Sequence, residues 1–149
     1  MSGSFFKSVI MMQTIKPSNL ARICTKSNLP ERIFEKLSEN LLIDIMDSVD
    51  NFAQRTTAPS LKNLDTNLSY GVLTLRLNEK ECYILNKQRP NRQIWLSSPI
   101  SGPSRFDFVE NRWRSLRDNQ FLIDILKNEF EQFAKEEAYE FNQIKEKST

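Results

Sequence analysis

A tryptophan stands in the strand-like segment Gln93-Ile94-Trp95-Leu96-Ser97, out of phase with its aliphatic neighbours. Successive side chains of a strand point to opposite faces, so Ile94 and Leu96 share one face and Gln93, Trp95 and Ser97 the other. With the aliphatic pair inside, the indole is expected outside, between an amide and a hydroxyl. Register extends that face to Thr74, Arg76, Asn86 and Arg105. The set holds amides, hydroxyls and guanidiniums but no nucleophile–base pair, so its chemistry is recognition rather than catalysis. Trp and Arg dominate the energetics of binding surfaces, which favours docking. The plainer alternative is a Trp half-covered by Arg stems that merely stabilises its sheet.

A second constellation is acidic. On a helix, Glu35, Glu39, Asp47 and Asp50 fall within about a third of a turn, and Asp65 can lie beside them. Clustered carboxylates can hold hard cations such as Fe²⁺, Mn²⁺ or Ca²⁺ in weak, open sites. An ordinary solvated helix face is the commoner meaning of such a stripe, and Arg32 and Lys36 share it and partly neutralise it. The chain has no histidine. That excludes Ser–His and Cys–His catalysis and nearly every zinc site; neither zinc nor haem is expected. Of the two cysteines, Cys24 and Cys82, the first lies in a leader segment. A mature body would keep one thiol, which leaves no structural disulfide and fits a reducing or organellar compartment. Arg112, Arg114 and Arg117, around Trp113, form either a basic patch or a charged surface flanking a buried Trp.

These groups need elements to hold them. Phe34, Leu37, Leu41, Ile45, Val49 and Phe52 recur at spacings of three and four, which predicts an amphipathic helix over 31 to about 55. Asn28 or Ser27 can cap it, with Pro30 in its first turn. Thr56 to Lys62 reads as a turn-rich connection. Alternation at Leu73, Leu75 and Leu77, then at Tyr83 and Leu85, predicts short strands, with turns at Asn78–Lys80 and Gln88–Asn91. The Trp95 strand follows, then a Ser/Pro/Gly loop over Ser97–Ser104, a strand with Phe106 and Phe108 on one side, and a short strand around Trp113. Asp118 is positioned to cap a second helix running to about Glu137. The order helix, strands, helix predicts an α+β fold: an α-β sandwich with both helices on one face of an antiparallel sheet and the other face open.

With 149 residues, the chain suits one domain plus a leader or tail. Nothing before Glu31 is acidic, while Lys7, Lys16, Arg22 and Lys26 are basic. The remainder is therefore slightly acidic, and the overall positive charge says little about nucleic acid. A single-stranded nucleic-acid binder would stack bases on exposed aromatics, but only one aromatic falls on the open face. No apolar run is long enough to span a bilayer. The leader is Ser/Thr-rich, carries spaced cations and lacks acids, as organelle transit peptides do. The expected division is a transit peptide over 1–27 and a domain with a C-terminal tail over 28–149; an N-terminus of no consequence is the alternative.

The segments Ser69–Leu77 and Tyr83–Phe108 (YILNKQRPNRQIWLSSPISGPSRFDF), with the flanking helices, resemble the frataxin family of mitochondrial iron–sulfur assembly proteins. The resemblance covers about residues 31 to 135. It implies two helices on a five- to seven-stranded antiparallel sheet, and a location in the mitochondrial matrix or a mitochondrion-derived organelle. It implies a monomer that docks, without nucleic acid or membrane, on a complex of cysteine desulfurase and iron–sulfur scaffold protein and speeds sulfur transfer. The family's open-sheet residues map onto Asn86, Gln88, Gln93, Trp95 and Arg105. The family is also described as an iron chaperone and sometimes a ferroxidase. Glu39, Asp47, Asp50 and Asp65 occupy positions of its acidic ridge, here for Fe²⁺. Frataxins carry a denser ridge; Asn40, Ile43, Asn51, Gln54 and Asn63 stand here as apolar or neutral neighbours. Each lost carboxylate weakens an oxygen site, so any iron affinity is expected to be low.

Overall fold

The computed structural model describes residues 29–147. The expected transit peptide, Cys24 and the capping candidates Ser27 and Asn28 lie outside them. Helix α1 spans Glu31–Arg55, and a short helix α2 spans Pro59–Lys62. Six strands follow: β1 Asp65–Ser69, β2 Val72–Arg76, β3 Cys82–Gln88, β4 Gln93–Ser98, β5 Gly102–Val109 and β6 Arg112–Ser115; helix α3, Leu122–Lys147, closes the order. The strands form one antiparallel meander in sequence order. Both long helices share their core with one face of this sheet, as expected.

Helix α1 forms because its apolar residues repeat at helical spacing: Phe34, Leu37, Leu41, Leu42, Ile45 and Val49 are all buried. Pro30 is the residue before the first turn rather than inside it; its extended ψ of 140° ends the incoming chain. Its carbonyl accepts the amide of Phe34, the first i→i+4 bond of the helix, and that of Ile33, one of the donors a helix start leaves open. The sheet supplies the opposite wall. Leu73, Leu75, Tyr83, Leu85, Ile94, Leu96 and Phe106 are buried on its inner face. Phe34 meets Trp113 edge-on at 6.1 Å, and Tyr83 stacks on Phe130 of α3 at 5.1 Å. Trp113 is therefore a core residue, as the plainer reading of its basic neighbours held. Arg112 pairs with Asp124 at 2.9 Å and covers the Phe121 ring.

Some boundaries differ from the sequence expectation. The segment Thr56–Lys62 contains a helical turn, opened by Pro59 at its first position. Strand β1 was not expected; its sequence DTNLS buries neither Thr66 nor Leu68 fully, so an edge strand leaves little hydrophobic signal. Its hairpin to β2 turns on Tyr70 and Gly71, both at positive φ, as a tight hairpin requires. The Ser/Pro/Gly loop shrinks to Pro99–Ser101, because β4 runs to Ser98 and β5 starts at Gly102. Asp118 does not cap α3. Its carboxylate accepts the Gln120 amide in the preceding turn, and the helix begins at Leu122. The Ser115 hydroxyl bonded to Asp118 holds its carboxyl below the usual range. Helix α3 continues to Lys147, past the expected end near Glu137.

Candidate functional site

The face of the sheet away from the helices carries the predicted recognition residues in two adjacent rows. Asn86 opposes Trp95, and Trp95 opposes Arg105, so these side chains cross β3, β4 and β5 in line. One step along, Gln88 opposes Gln93. All the residues assigned to partner binding therefore meet on one surface. Sheet register produces this directly: the inner phase of Leu85, Ile94, Leu96 and Phe106 leaves their alternates outside.

The indole is not fully free. Trp95 is half-buried, with the guanidinium of its cross-strand partner Arg105 lying over the ring, 4.5 Å from its centre. One ring face is thus covered, and the expectation of an indole standing in solvent is corrected to that extent. Its position on the open side of the sheet stands. The ring edge is also tied down. Trp95 Nε1–H donates to Gln93 Oε1 at 3.0 Å, and Gln93 Nε2 donates to Asp107 Oδ1 at 2.9 Å. Gln93 thus has its amide oriented by two partners and fixes the indole in turn. Asp107 is only 6% exposed, and a buried carboxylate of this kind needs its donor. Its role was missed from sequence. Alternation places it on the outer face beside Arg105, but only the β4–β5 register brings it to Gln93.

The acidic candidates are not gathered in the same way. Among the described residues, no group of three or more carboxylates or other ligating side chains is placed to hold a metal together. Lys87 Nζ reaches Glu35 Oε2 at 2.8 Å and Glu39 Oε2 at 3.0 Å, and Arg89 Nε reaches Glu35 Oε1 at 2.8 Å. The sequence pointed to Arg32 and Lys36 as the neutralising cations; the structure brings Lys87 and Arg89 from β3 and its turn. The Lys87 side chain is only 6% exposed. Burial works against its ammonium, but the bonds from Glu35 and Glu39 outweigh that and raise its pKa. The Lys87 hydrogen bond holds Glu35 below the usual carboxylate range. Gly71 makes room for the lysine: a Cβ there would sit 3.0 Å from Lys87 Cε, and its φ of +76° also disfavours a side chain.

Further along α1, Thr66 faces the helix and donates to Asp50 at 3.0 Å. The adjacent Asp65 consequently points to the other side of the sheet, where its register partner is Arg76. Asp65 is not beside Asp50, because one residue along a strand reverses the face. Asp44 and Asp47 remain as neighbouring carboxylates; burial and then the charge of Asp47 raise the pKa of Asp44.

The fold is an α-β sandwich whose helices cover one face of a six-stranded antiparallel sheet and whose open face carries the ordered row Asn86, Trp95 and Arg105. The frataxin-like domain model matches residues 27–136, and the chain belongs to the frataxin family. It is 40% identical over 104 residues to the mitochondrial frataxin homolog of Saccharomyces cerevisiae, covering 70% of this chain and 58% of that protein. The chain thus spans about three-fifths of the length of that yeast relative. It is 32% identical over 135 residues to mitochondrial frataxin of Caenorhabditis elegans, covering 89% of this chain and 98% of that one. The crystal structure of trimeric yeast frataxin complexed with ferrous iron superposes with a TM-score of 0.59 at 34% identity, over 72% of this chain and 99% of that chain. These relatives are mitochondrial by name, and the mitochondrial location that the resemblance implied agrees with them.

Proposed function

We propose that this chain is an accessory protein of iron–sulfur cluster biosynthesis. It docks through the Trp95 face on a cysteine desulfurase–scaffold complex and promotes sulfur transfer without itself catalysing a reaction. The observation that carries this reading is the pinned indole: Arg105 over the ring and Gln93 on its N–H, within a polar set on a rigid sheet. Side chains already held in one arrangement lose little freedom on binding, so more of the contact energy remains as affinity. A regulator of this kind works by binding the transfer-competent state of the complex more tightly than the resting state. The direct test of docking is capture of the complex by the mature chain from its own organelle, compared with Trp95→Ala. Equal capture by both forms contradicts the reading.

A second reading, Fe²⁺ binding with delivery or weak ferroxidase activity, is favoured by the ferrous complex of the yeast relative. In this chain Glu39 is engaged by Lys87 and Asp50 by Thr66. That leaves Asp47, beside Asp44, as the centre of any iron contact, with an affinity in keeping with so few free carboxylates. Anaerobic calorimetry with Fe²⁺ decides it: weak heat that disappears in Asp47→Asn supports the reading, and no heat at high micromolar iron removes it.

A further inference from the structure

Beside Trp95, the open face sinks into a groove of about 720 Å³ that crosses β3, β4 and β5 and ends at Leu116 and Arg117. Its shape follows from register. Ser97 lies between Ile84 and Pro103, and this short side chain makes a low floor next to the row containing Trp95. The amide of Leu116 extends the ladder by bonding to the Arg105 carbonyl at 3.1 Å, which adds a far wall. Ile84 is 41% exposed and Leu116 43% exposed, so the groove presents two aliphatic side chains that a partner can cover.

The charge of the groove is one-sided. Arg105 and Arg117 line it and, among the described residues, no carboxylate does. The Arg117 side chain is 59% exposed and lies 3.7 Å from Asp118, which is outside the groove; its other contact is the Ser104 hydroxyl at 3.5 Å. An aliphatic floor with two guanidiniums at its margin fits one kind of occupant.

We propose that the groove receives an extended segment of the partner protein. An aliphatic side chain of that segment covers Ile84 and Leu116, and an adjacent Asp or Glu side chain meets Arg117 and Arg105. The inference rests on the docking reading above and adds to it: Trp95 anchors the complex, while the groove selects the acidic–aliphatic segment. Complementary charge of this kind contributes specificity and association rate, both sensitive to salt.

The test measures binding of the purified desulfurase–scaffold complex to the full chain and to Arg117→Glu, Arg117→Lys, Ile84→Ser and Trp95→Ala, with melting temperatures confirming that each variant is folded. Arg117→Glu is expected to weaken binding about tenfold or more and to flatten the salt dependence, while Arg117→Lys stays within about threefold of the parent. Ile84→Ser is expected to lose about fivefold through the uncovered aliphatic contact. If Arg117→Glu and Ile84→Ser bind like the parent while Trp95→Ala does not, the groove proposal falls and docking stands. If all variants bind like the parent, both fall. A photo-crosslinker at position 116 supplies an independent readout: the trapped peptide should carry Asp or Glu within two residues of an aliphatic side chain, and capture of a basic segment or of a second copy of this chain overturns the proposal.

Discussion

The guanidinium of Arg105 lies over the ring of Trp95 at 4.5 Å, and the two residues are direct partners across β4 and β5. Strand pairing alone sets this contact, so it is present before any partner arrives. A cation over an indole at a partly exposed site is worth about 0.5–1 kcal/mol, enough to hold the ring without burying it. Arg105→Ala should uncover the ring. The expected result is stronger acrylamide quenching of tryptophan emission and a loss of stability under about 1 kcal/mol. Trp113 is buried and supplies a constant background, so unchanged quenching would show that Arg105 does not cover the indole in solution.

Lys87 joins the end of the interior strand β3 to α1 through Glu35 and Glu39. Lys87→Met should destabilise the chain by about 1–2 kcal/mol, because the carboxylates left behind are partly solvated and are not fully orphaned. The effect has a pH window. Glu35 has a folded pKa below its ordinary 4.5, so its contribution is present above that value and is lost as pH falls through the lower folded one. Lys87 has a folded pKa above its ordinary 10.5, so its contribution is present below that value and is lost as pH rises through the higher folded one. Denaturant titrations of both proteins should therefore differ most between about pH 5 and 10 and converge at each extreme. A gap independent of pH would mean that Lys87 acts only through its apolar stem.

Ser98 ties the β4–β5 turn to helix α3. Its hydroxyl donates to Glu129 Oε2 at 2.5 Å and accepts the amides of Ile100 and Ser101. Glu129 is 6% exposed, and burial, then its charge, raise the pKa of the neighbouring Tyr83. Ser98→Ala leaves a buried carboxylate and two amides short of a partner, for an expected loss of about 2–4 kcal/mol. The urea midpoint should fall with an unchanged slope. A loss below about 0.5 kcal/mol would show that water replaces the hydroxyl without cost.

The strand phase was legible because aliphatic alternation is strong at Leu73–Leu77 and around Ile94 and Leu96, and phase alone puts Asn86, Trp95 and Arg105 on one face. Helix α1 was legible for the same reason at helical period. What periodicity does not carry is tertiary pairing. Lys87 and Glu35 are 52 residues apart, and nothing local announces that an inward lysine will meet an acidic helix stripe. Asp65 precedes the first strand that alternation reveals, so no strand phase separates it from Asp50; with β1 a strand, Thr66 takes the inner position and Asp65 the outer one. Composition misled at Ser97–Ser104, where Ser, Pro and Gly suggested a long loop although Ser97 and Pro103 are paired in the sheet. The groove at Leu116 and Arg117 was equally invisible, since it depends on where the chain after β6 turns.

The proposed docking makes the indole of Trp95 the handle by which a larger assembly is engaged. It is tested most directly by cysteine turnover of a reconstituted desulfurase–scaffold complex, with the parent chain or with Trp95→Ala added at equal concentration. The truncation should cost stability only modestly, about 1–2 kcal/mol for a half-buried ring, so the variant remains folded. The parent should stimulate turnover, and Trp95→Ala should lose at least about tenfold in apparent affinity for the complex, as expected on removing an anchoring Trp. Full stimulation by the folded variant at the same concentration would contradict it.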